Sequence, residues 1–390
     1  VSLTLAEARH SLLRIAGCLP AESVSLPEAA GRIILETITA RRSLPEGDRA
    51  AVDGYAVRLA DAAARGASGL RVAGTATAGL SQPLALPPHH ALAVTTGAPL
   101  PLEADAVVPQ EAVRQEGERV VLRTIPTAGT GIRRAGQEAR AGELLVASGD
   151  PLDIRTLERL AGQGIPRVSV ARRARVHLVA TGDELAPPGE EPRAAQRVAS
   201  NLPMLEALVR ACGGQVERSV AVPDDPAQLH RVLAASLGGD LVLTVGGTLG
   251  GVKDFTKRVL AGAGGAFLFD GVAMRPGSSC AVVTVGKAII VCLPGSPGAA
   301  LLGFVALVRP LLRALHGWSQ PIPSFSARLA EAVQPASQET ILVSGLVRDV
   351  GGGLEFLRRG HGWPALGLVP PSGPGQVRDP FITVELLPSE

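Results

Sequence analysis

Tyrosine occurs once, tryptophan twice and phenylalanine seven times, so aromatics make up only 3% of the 390 residues. A chain this poor in flat side chains lacks the stacking platforms on which single-stranded nucleic acid is held. It also lacks an excess of either charge, with 38 Lys plus Arg against 36 Asp plus Glu and a net of +2. That balance excludes a polyanion-coating role, so no nucleic-acid partner is expected and any phosphate chemistry must come from a local site. Cys18, Cys212, Cys280 and Cys292 have neither CxxC nor His-paired zinc spacing, and read as small core residues in a reducing compartment, with a reactive thiol as the alternative. No uninterrupted apolar run reaches 18 residues; the best, Cys280 to Leu293, is broken by Gly286 and Lys287, so no membrane partner is expected. Glu7, Arg9 and Arg14 near the start are charges that a secretory leader would not carry there, so none is expected. These absences predict a soluble, cytoplasmic protein.

What the chain does have is apolar content, 46%, and a length beyond the size at which one hydrophobic core stops growing. Several domains are therefore expected. Thr4-Leu5-Ala6-Glu7 is a capping box, followed by Leu5, Ala8, Leu12 and Ile15 at helical spacing. A second helix is predicted from Pro27 to about Thr39. Between Ser43 and about Ala147 short β-like runs are split by Gly and Pro, among them Ala91–Thr95, Ala106–Val108 and Arg119–Arg123. A helix over Ile154–Ala161 follows. From Arg175 strands and helices alternate: strands at Val176–Ala180, Val216–Val222, Leu241–Val245, Ala281–Val285 and Ala288–Leu293. Between and after them come a helix capped by Asn201, one opened by Asp224-Asp225-Pro226, one from about Phe255, and a long one over Ala299–Leu315. Pro321-Ile322-Pro323 marks a linker to a turn-rich β segment, consistent with a small barrel. The expected fold class is α/β plus β, with four parts: residues 1–42 with 148–174 helical and linking, 43–147 β-rich, 175–318 doubly wound α/β, and 319–390 a C-terminal β-barrel.

In open α/β sheets ligands bind outside the carboxyl ends of the strands. Three glycine-bearing loops are expected there: Thr181-Gly182-Asp183-Glu184-Leu185, Gly246-Gly247-Thr248-Leu249-Gly250-Gly251-Val252-Lys253-Asp254, and Leu293-Pro294-Gly295-Ser296-Pro297-Gly298. Glycine lets backbone amides approach an anion, and a following helix adds partial positive charge. The second loop fits neither GxGxxG nor a P-loop, since Val252 holds the lysine position; by itself it is a structural turn or an anion cradle. Asp183, Glu184 and Asp254 supply carboxylates suited to Mg²⁺ between phosphates. Arg275 reads either as a surface arginine or as an oxyanion ligand. Glu184 reads as a solvated loop acid as well, Asp53 before Gly54 as a turn residue, and Asp224 as a helix cap.

Several motifs in one order resemble the molybdopterin molybdenumtransferases, the molybdenum-insertion family related to the gephyrin E domain. They are Ala51-Val52-Asp53-Gly54-Tyr55-Ala56-Val57-Arg58, Thr96-Gly97-Ala98-Pro99, Ala104-Asp105-Ala106-Val107-Val108 with Glu111, Gly131-Ile132-Arg133, Gly136-Gln137-Glu138, Thr181–Leu185, Ser200-Asn201, the Gly246–Asp254 loop, Arg275-Pro276-Gly277 and Leu293–Pro297. The resemblance implies an elongated homodimer, with a molybdopterin-binding α/β domain of one subunit facing the Asp53-bearing β domain of the other. It implies insertion of molybdate into adenylylated molybdopterin with release of AMP, assisted by Mg²⁺. By matched position Asp53, Glu184 and Asp254 are implied as catalytic, and Glu184 and Asp254 as metal ligands. Thr96, Asp225 or its neighbour Asp224, Gly246, Gly247, Gly250, Gly251, Arg275, Pro294, Gly295, Ser296 and Pro297 are implied as substrate-binding. Other cofactor-biosynthesis proteins or a recipient molybdoenzyme are the implied protein partners.

Some matched positions depart from the family pattern. Arg49-Ala50 stands where Asn-Ser is usual, Glu138 and Ala199 where Asp is usual, and Leu249 where Ser is usual. Arg275 and Ser278 stand where Lys is usual, Ser296 where Asn is usual, and His361 where Ser is usual. The triplet Ile341-Leu342-Val343 replaces an FVR-like one. Two alternatives follow: a catalytically degraded paralogue that binds or delivers the pterin cofactor, and a molybdopterin adenylyltransferase, which the α/β segment also resembles.

Overall fold

A computed structural model describes residues 2–65, 68–247, 255–331, 333, 338–359, 361–371 and 381–387. The chain packs as two compact units, Val1–Glu22 with Ala171–Glu390, and Ser23–Val170.

The first unit is organised by a six-stranded sheet in the order Gln215–Val222, Arg175–Thr181, Leu241–Val245, Ala288–Leu293, Ala281–Val285, Ala266–Asp270. The first four strands are parallel, and the last two add an antiparallel edge. Every residue of Leu241–Val245 and Ala288–Leu293 is buried, which is why these strands read as continuous apolar runs. Side-chain alternation divides them between two cores. Leu178, Leu243 and Val291 meet Leu202, Leu205, Phe304 and Leu311 on one face. Val179, Val242 and Ile290 meet Leu229, Leu233 and Leu260 on the other. The helix Leu5–Ile15, closed at its start by the Thr4–Glu7 capping box, lays Leu5, Ala8 and Leu12 into the first of these cores, so it packs with the α/β sheet.

The long helix runs continuously over Pro297–Leu315, and most of it is buried inside the protein. Its length and composition would suit a membrane span, but its apolar surface is taken up by the core. Its middle, Phe304–Val308, is wound as π-helix. There the Ala306 carbonyl accepts a hydrogen bond from Arg9 Nε at 2.8 Å, while Arg9 Nη1 pairs with Glu385 Oε1 at 2.8 Å. Arg309 donates to the Leu386 carbonyl.

The barrel expected at the C-terminal end is present. Thr340–Asp349, Leu354–Leu357, Ser324–Leu329, Phe381–Leu386 and Trp363–Val369 follow in order, and the last pairs back onto the first. Val272–Arg275, which the sequence pattern does not announce as a strand, pairs in parallel with Leu3–Thr4 on one side and Thr340–Ile341 on the other.

A charge cluster closes the entry to the α/β sheet. Arg172 Nη1 and Nη2 bond Asp240 Oδ2 and Oδ1 at 2.6 and 2.7 Å, and Arg175 N donates to Oδ2 at 2.8 Å. Burial pushes the Asp240 carboxyl up, but the Arg172 guanidinium and the Arg175 amide outweigh it and hold it below the usual carboxylate range. Asp240→Asn is therefore expected to lower the unfolding free energy by about 2 kcal/mol at pH 7. Because the folded carboxyl titrates lower than the unfolded one, the contribution is full above the unfolded pKa and is lost as pH falls through the folded one. Urea titrations at pH 7 and pH 3 should show the gap between wild type and variant shrinking at the acid end.

The second unit carries a six-stranded sheet ordered Ala106–Pro109, Gly54–Val57, His90–Val94, Leu70–Ala76, Arg119–Leu122, Val113–Glu116. The helix expected over Pro27–Thr39 is a correction: only Leu26–Ala29 is helical. Ala30 leaves the helix with ψ 129°, and Gly31 takes φ +72°. Beyond it the backbone amides are taken by other segments, Gly31 N by Leu152 O, Ile34 N by Asp150 O and Leu35 N by Ser169 O, at 2.9 to 3.0 Å. With those donors used across the chain no i to i−4 ladder can continue. The helix Ile154–Gly162 is present, capped by Asp153.

Candidate functional site

The three central parallel strands Arg175–Thr181, Leu241–Val245 and Ala288–Leu293 end side by side, and each is followed by one of the glycine loops. Their ends open a cleft of about 690 Å³. Its wall includes Thr181, Gly182, Glu184 and Leu185 from the first loop, Gly246 and Gly247 from the second, and Pro294–Pro297 from the third. Arg197–Asn201, Asp224 and Pro276–Ser279 complete it.

The glycines are required by closeness. Gly246 has φ +101°, and a Cβ there would sit 2.5 Å from Thr181 O. Gly246 N donates to Leu293 O at 3.2 Å, tying the second loop to the end of the neighbouring strand. A Cβ on Gly295 would be 3.4 Å from Gly246 Cα, so the second and third loops touch through backbone alone. The third loop leads directly into the long helix; Ser296 stands at its N-cap and makes no side-chain cap bond. The first helical turn thus turns uncapped amides and the positive dipole end towards the cleft.

Glu184 folds back over its own loop, for a Cβ at Gly182 would lie 2.6 Å from Glu184 Oε2. Its one ion pair among the described residues is a loose 3.9 Å contact to Arg197. Thr181 Oγ1 and Asn201 Oδ1 are buried and have no hydrogen-bond partner among the described residues. Thr256 Oγ1 is in the same condition, 2.7 Å from where a Cβ of Gly247 would lie. Buried polar atoms are nearly always paired, so the unmet Thr181 and Asn201 oxygens, both on residues that line the cleft, set this wall apart.

The expected site residues divide as follows. Glu184, Gly246, Gly247, Pro294, Gly295, Ser296 and Pro297 meet in the cleft. Gly250, Gly251 and Asp254 lie outside the described residues, as does Leu249. Of the adjacent aspartates, Asp225 caps the helix Pro226–Ser236, accepting from Ala227 N at 2.8 Å and from Gln228 Nε2 at 2.9 Å. Gln228's side chain and then the Ala227 amide hold it below the usual carboxylate range. Asp224, the residue read as a cap, is the one that lines the cleft, its amide donating to Asp183 Oδ1 at 3.0 Å. Arg275 ends its strand 71% exposed and pairs with Glu339 at 3.0 Å, while Pro276–Ser279 just beyond it line the cleft. Asn201, expected as a cap, is the first residue of the helix Asn201–Ala211, and its Nδ2 instead donates to Gly295 O at 2.8 Å.

In the other unit Asp53 and Thr96 come together, with Thr96 N and Oγ1 donating to Asp53 Oδ1 at 2.6 and 2.9 Å. The Thr96 amide, then its hydroxyl, lower the Asp53 pKa, so this carboxyl is an anion at neutral pH and cannot serve as a proton donor there. Beside them a second cavity of about 440 Å³ is lined by Arg42, Arg49 and Arg133 with Glu46 and Glu138. Arg133 pairs with Glu138 at 3.0 Å, and Arg49 donates to Gly97 O at 2.8 Å.

A doubly wound α/β domain with converging glycine loops at its carboxyl edge, joined to a β-rich unit and a closed barrel, makes this a multidomain α/β-plus-β protein with its cleft at the carboxyl ends of the parallel strands. Residues 3–164 match the MoeA N-terminal region, domains I and II, and residues 177–314 match the probable molybdopterin binding domain. The chain is 36% identical over 308 residues to molybdopterin molybdenumtransferase 2 of Mycobacterium tuberculosis, covering 77% of this chain and 76% of that one. To the molybdopterin molybdenumtransferase of Haemophilus influenzae it is 34% identical over 331 residues, 83% of this chain and 81% of that one. A crystal structure of the molybdopterin biosynthesis MoeA protein from Pyrococcus horikoshii OT3 superposes with a TM-score of 0.79 at 25% identity, covering 99% of this chain and all of that one. This chain belongs to the molybdopterin molybdenumtransferase family.

Proposed function

We propose that this protein inserts molybdate into adenylylated molybdopterin and releases AMP, acting with Mg²⁺ as a cytoplasmic homodimer. The observation that carries this reading is the uncapped amino end of the long helix, opening on a cleft whose wall holds the buried, unpartnered Thr181 hydroxyl. Helix amides and a hydroxyl donor suit phosphate oxygens, and they need no reorganisation as charge gathers there during anhydride cleavage. Gly246, Gly247 and Pro294–Pro297 orient the phosphates by backbone contact.

Glu184 and Asp224 line the same cleft, and one or two carboxylates beside phosphate oxygens form the hard donor set that Mg²⁺ takes while keeping several waters. When bound, the ion neutralises charge on the pyrophosphate. Asp254 joins these acids in the proposal. In the homodimer, Asp53 of the second copy, kept ionised by Thr96, adds an anionic group that orients the substrate.

Given adenylylated molybdopterin, Mg²⁺ and low molybdate, the purified protein is expected to release AMP in step with active cofactor. No AMP at saturating substrate refutes the reading. The alternative of pterin binding without insertion is favoured by one observation: Arg197 is the only cation among the described residues lining the cleft, and Arg275 is engaged by Glu339. On that reading the protein binds molybdopterin and the same assay yields no AMP.

A further inference from the structure

Asn201 is anchored by one half of its amide and left open by the other. Nδ2 donates to Gly295 O at 2.8 Å, and since a carbonyl can only accept, the orientation of the amide is fixed. Oδ1 is therefore the atom left buried and without a hydrogen-bond partner among the described residues, on a residue that lines the cleft. It is an acceptor only. An ionised phosphate has nothing to offer it and would be repelled by it.

The surroundings separate two kinds of recognition. The Thr181 hydroxyl, also buried and unpartnered, can donate to an oxyanion, as can the amides at the start of the long helix. Asn201 Oδ1, held beside the Pro294–Pro297 loop through Gly295, demands a donor close to that anion. A buried acceptor left unmatched destabilises whatever complex leaves it so.

We infer that Asn201 is a specificity-determining residue: its Oδ1 receives an N–H or O–H group that the ligand carries next to its phosphate, so the cleft selects phosphate esters bearing such a donor over bare polyphosphate. The inference rests on the proposed function for the identity of the ligand. A ribose hydroxyl and a pterin N–H share this chemistry, and separate probes distinguish them.

The test compares inorganic pyrophosphate, AMP, and a pterin phosphate without ribose, by calorimetric titration of the full-length protein and of Asn201→Leu and Asn201→Asp. Both variants lose the bond to Gly295, but only the aspartate keeps an acceptor. In Asn201→Leu the affinity for one donor-bearing probe, relative to pyrophosphate, is expected to fall about tenfold, a loss of the size that an unmatched buried polar group produces. The probe that loses affinity identifies the donor. In Asn201→Asp the same ratio should hold or rise. An unchanged ratio in Asn201→Leu, an equal fall in both variants, or wild-type binding of pyrophosphate alone overturns the proposal. If Asn201→Leu does not fold, a ratio that falls in Asn201→Asp also overturns it. Failure of AMP release overturns the insertion reading and leaves these ratios to decide the role of Asn201.

Discussion

Replacing Gly54 with alanine is expected to lower the unfolding free energy by about 3 kcal/mol or more, among the largest effects that one added methyl can have. A Cβ at this position would sit 2.1 Å from Val108 O, 2.9 Å from Val108 C and 3.0 Å from Pro109 Cα. All three are backbone atoms of the strand Ala106–Pro109, which pairs directly with Gly54–Val57. A flexible side chain could swing away, but this strand can yield only by sliding or opening the sheet. The other neighbour, His90–Val94, pairs with Gly54 from the opposite side, so the strand cannot retreat. The same shift moves Asp53, the preceding residue, off Thr96. Urea unfolding reports the stability loss directly, and a folded variant that loses under ~1 kcal/mol would show that the sheet relaxes more freely than its packing indicates.

Glu184→Gln is expected to slow AMP release by about 100-fold while leaving the melting temperature nearly unchanged. The substitution keeps size and shape and removes only charge. Stability should hold, because the sole described ion pair of Glu184 is the 3.9 Å contact to Arg197, with side chains 43% and 74% exposed. Activity should fall, because the carboxylate lies against Gly182 on the wall of the cleft, where the proposed metal and pyrophosphate meet. Partial recovery at raised Mg²⁺ would assign the loss to metal affinity. An undiminished rate would remove Glu184 from the chemistry.

The α/β part of the fold is legible in the sequence because burial on both faces leaves a continuous apolar signature, as in Leu241–Val245 and Ala288–Leu293. The convergence of the three loops follows from the same pattern, since parallel neighbours end on one edge. Val272–Arg275 is not legible: four residues long, it owes its strand state to partners at Leu3–Thr4 and Thr340–Ile341, remote in the chain. The stretch after Ala29 misleads for the same reason, its amides being claimed by residues 150, 152 and 169. At the site, residue type announces acids and glycines, while the decisive property of Asn201 and Thr181 is a missing partner, which only packing reveals. Asp225, and not Asp224, stands at the helix N-cap because Pro226 takes the first helical position directly after it.

The π-helical stretch Phe304–Val308 sets the phase of the long helix. Each ordinary residue advances an α-helix by about 100°. The wider turn offsets everything after it, so the half that begins at the cleft and the half that carries Arg309 are indexed independently. The carbonyl of Ala306 stays accessible to Arg9, and Arg309 is aimed at Leu386 at the end of the last barrel strand. One local irregularity thus acts as a vernier, letting the amino end of the helix be aligned to the cleft and its carboxyl end to the barrel without compromise between the two.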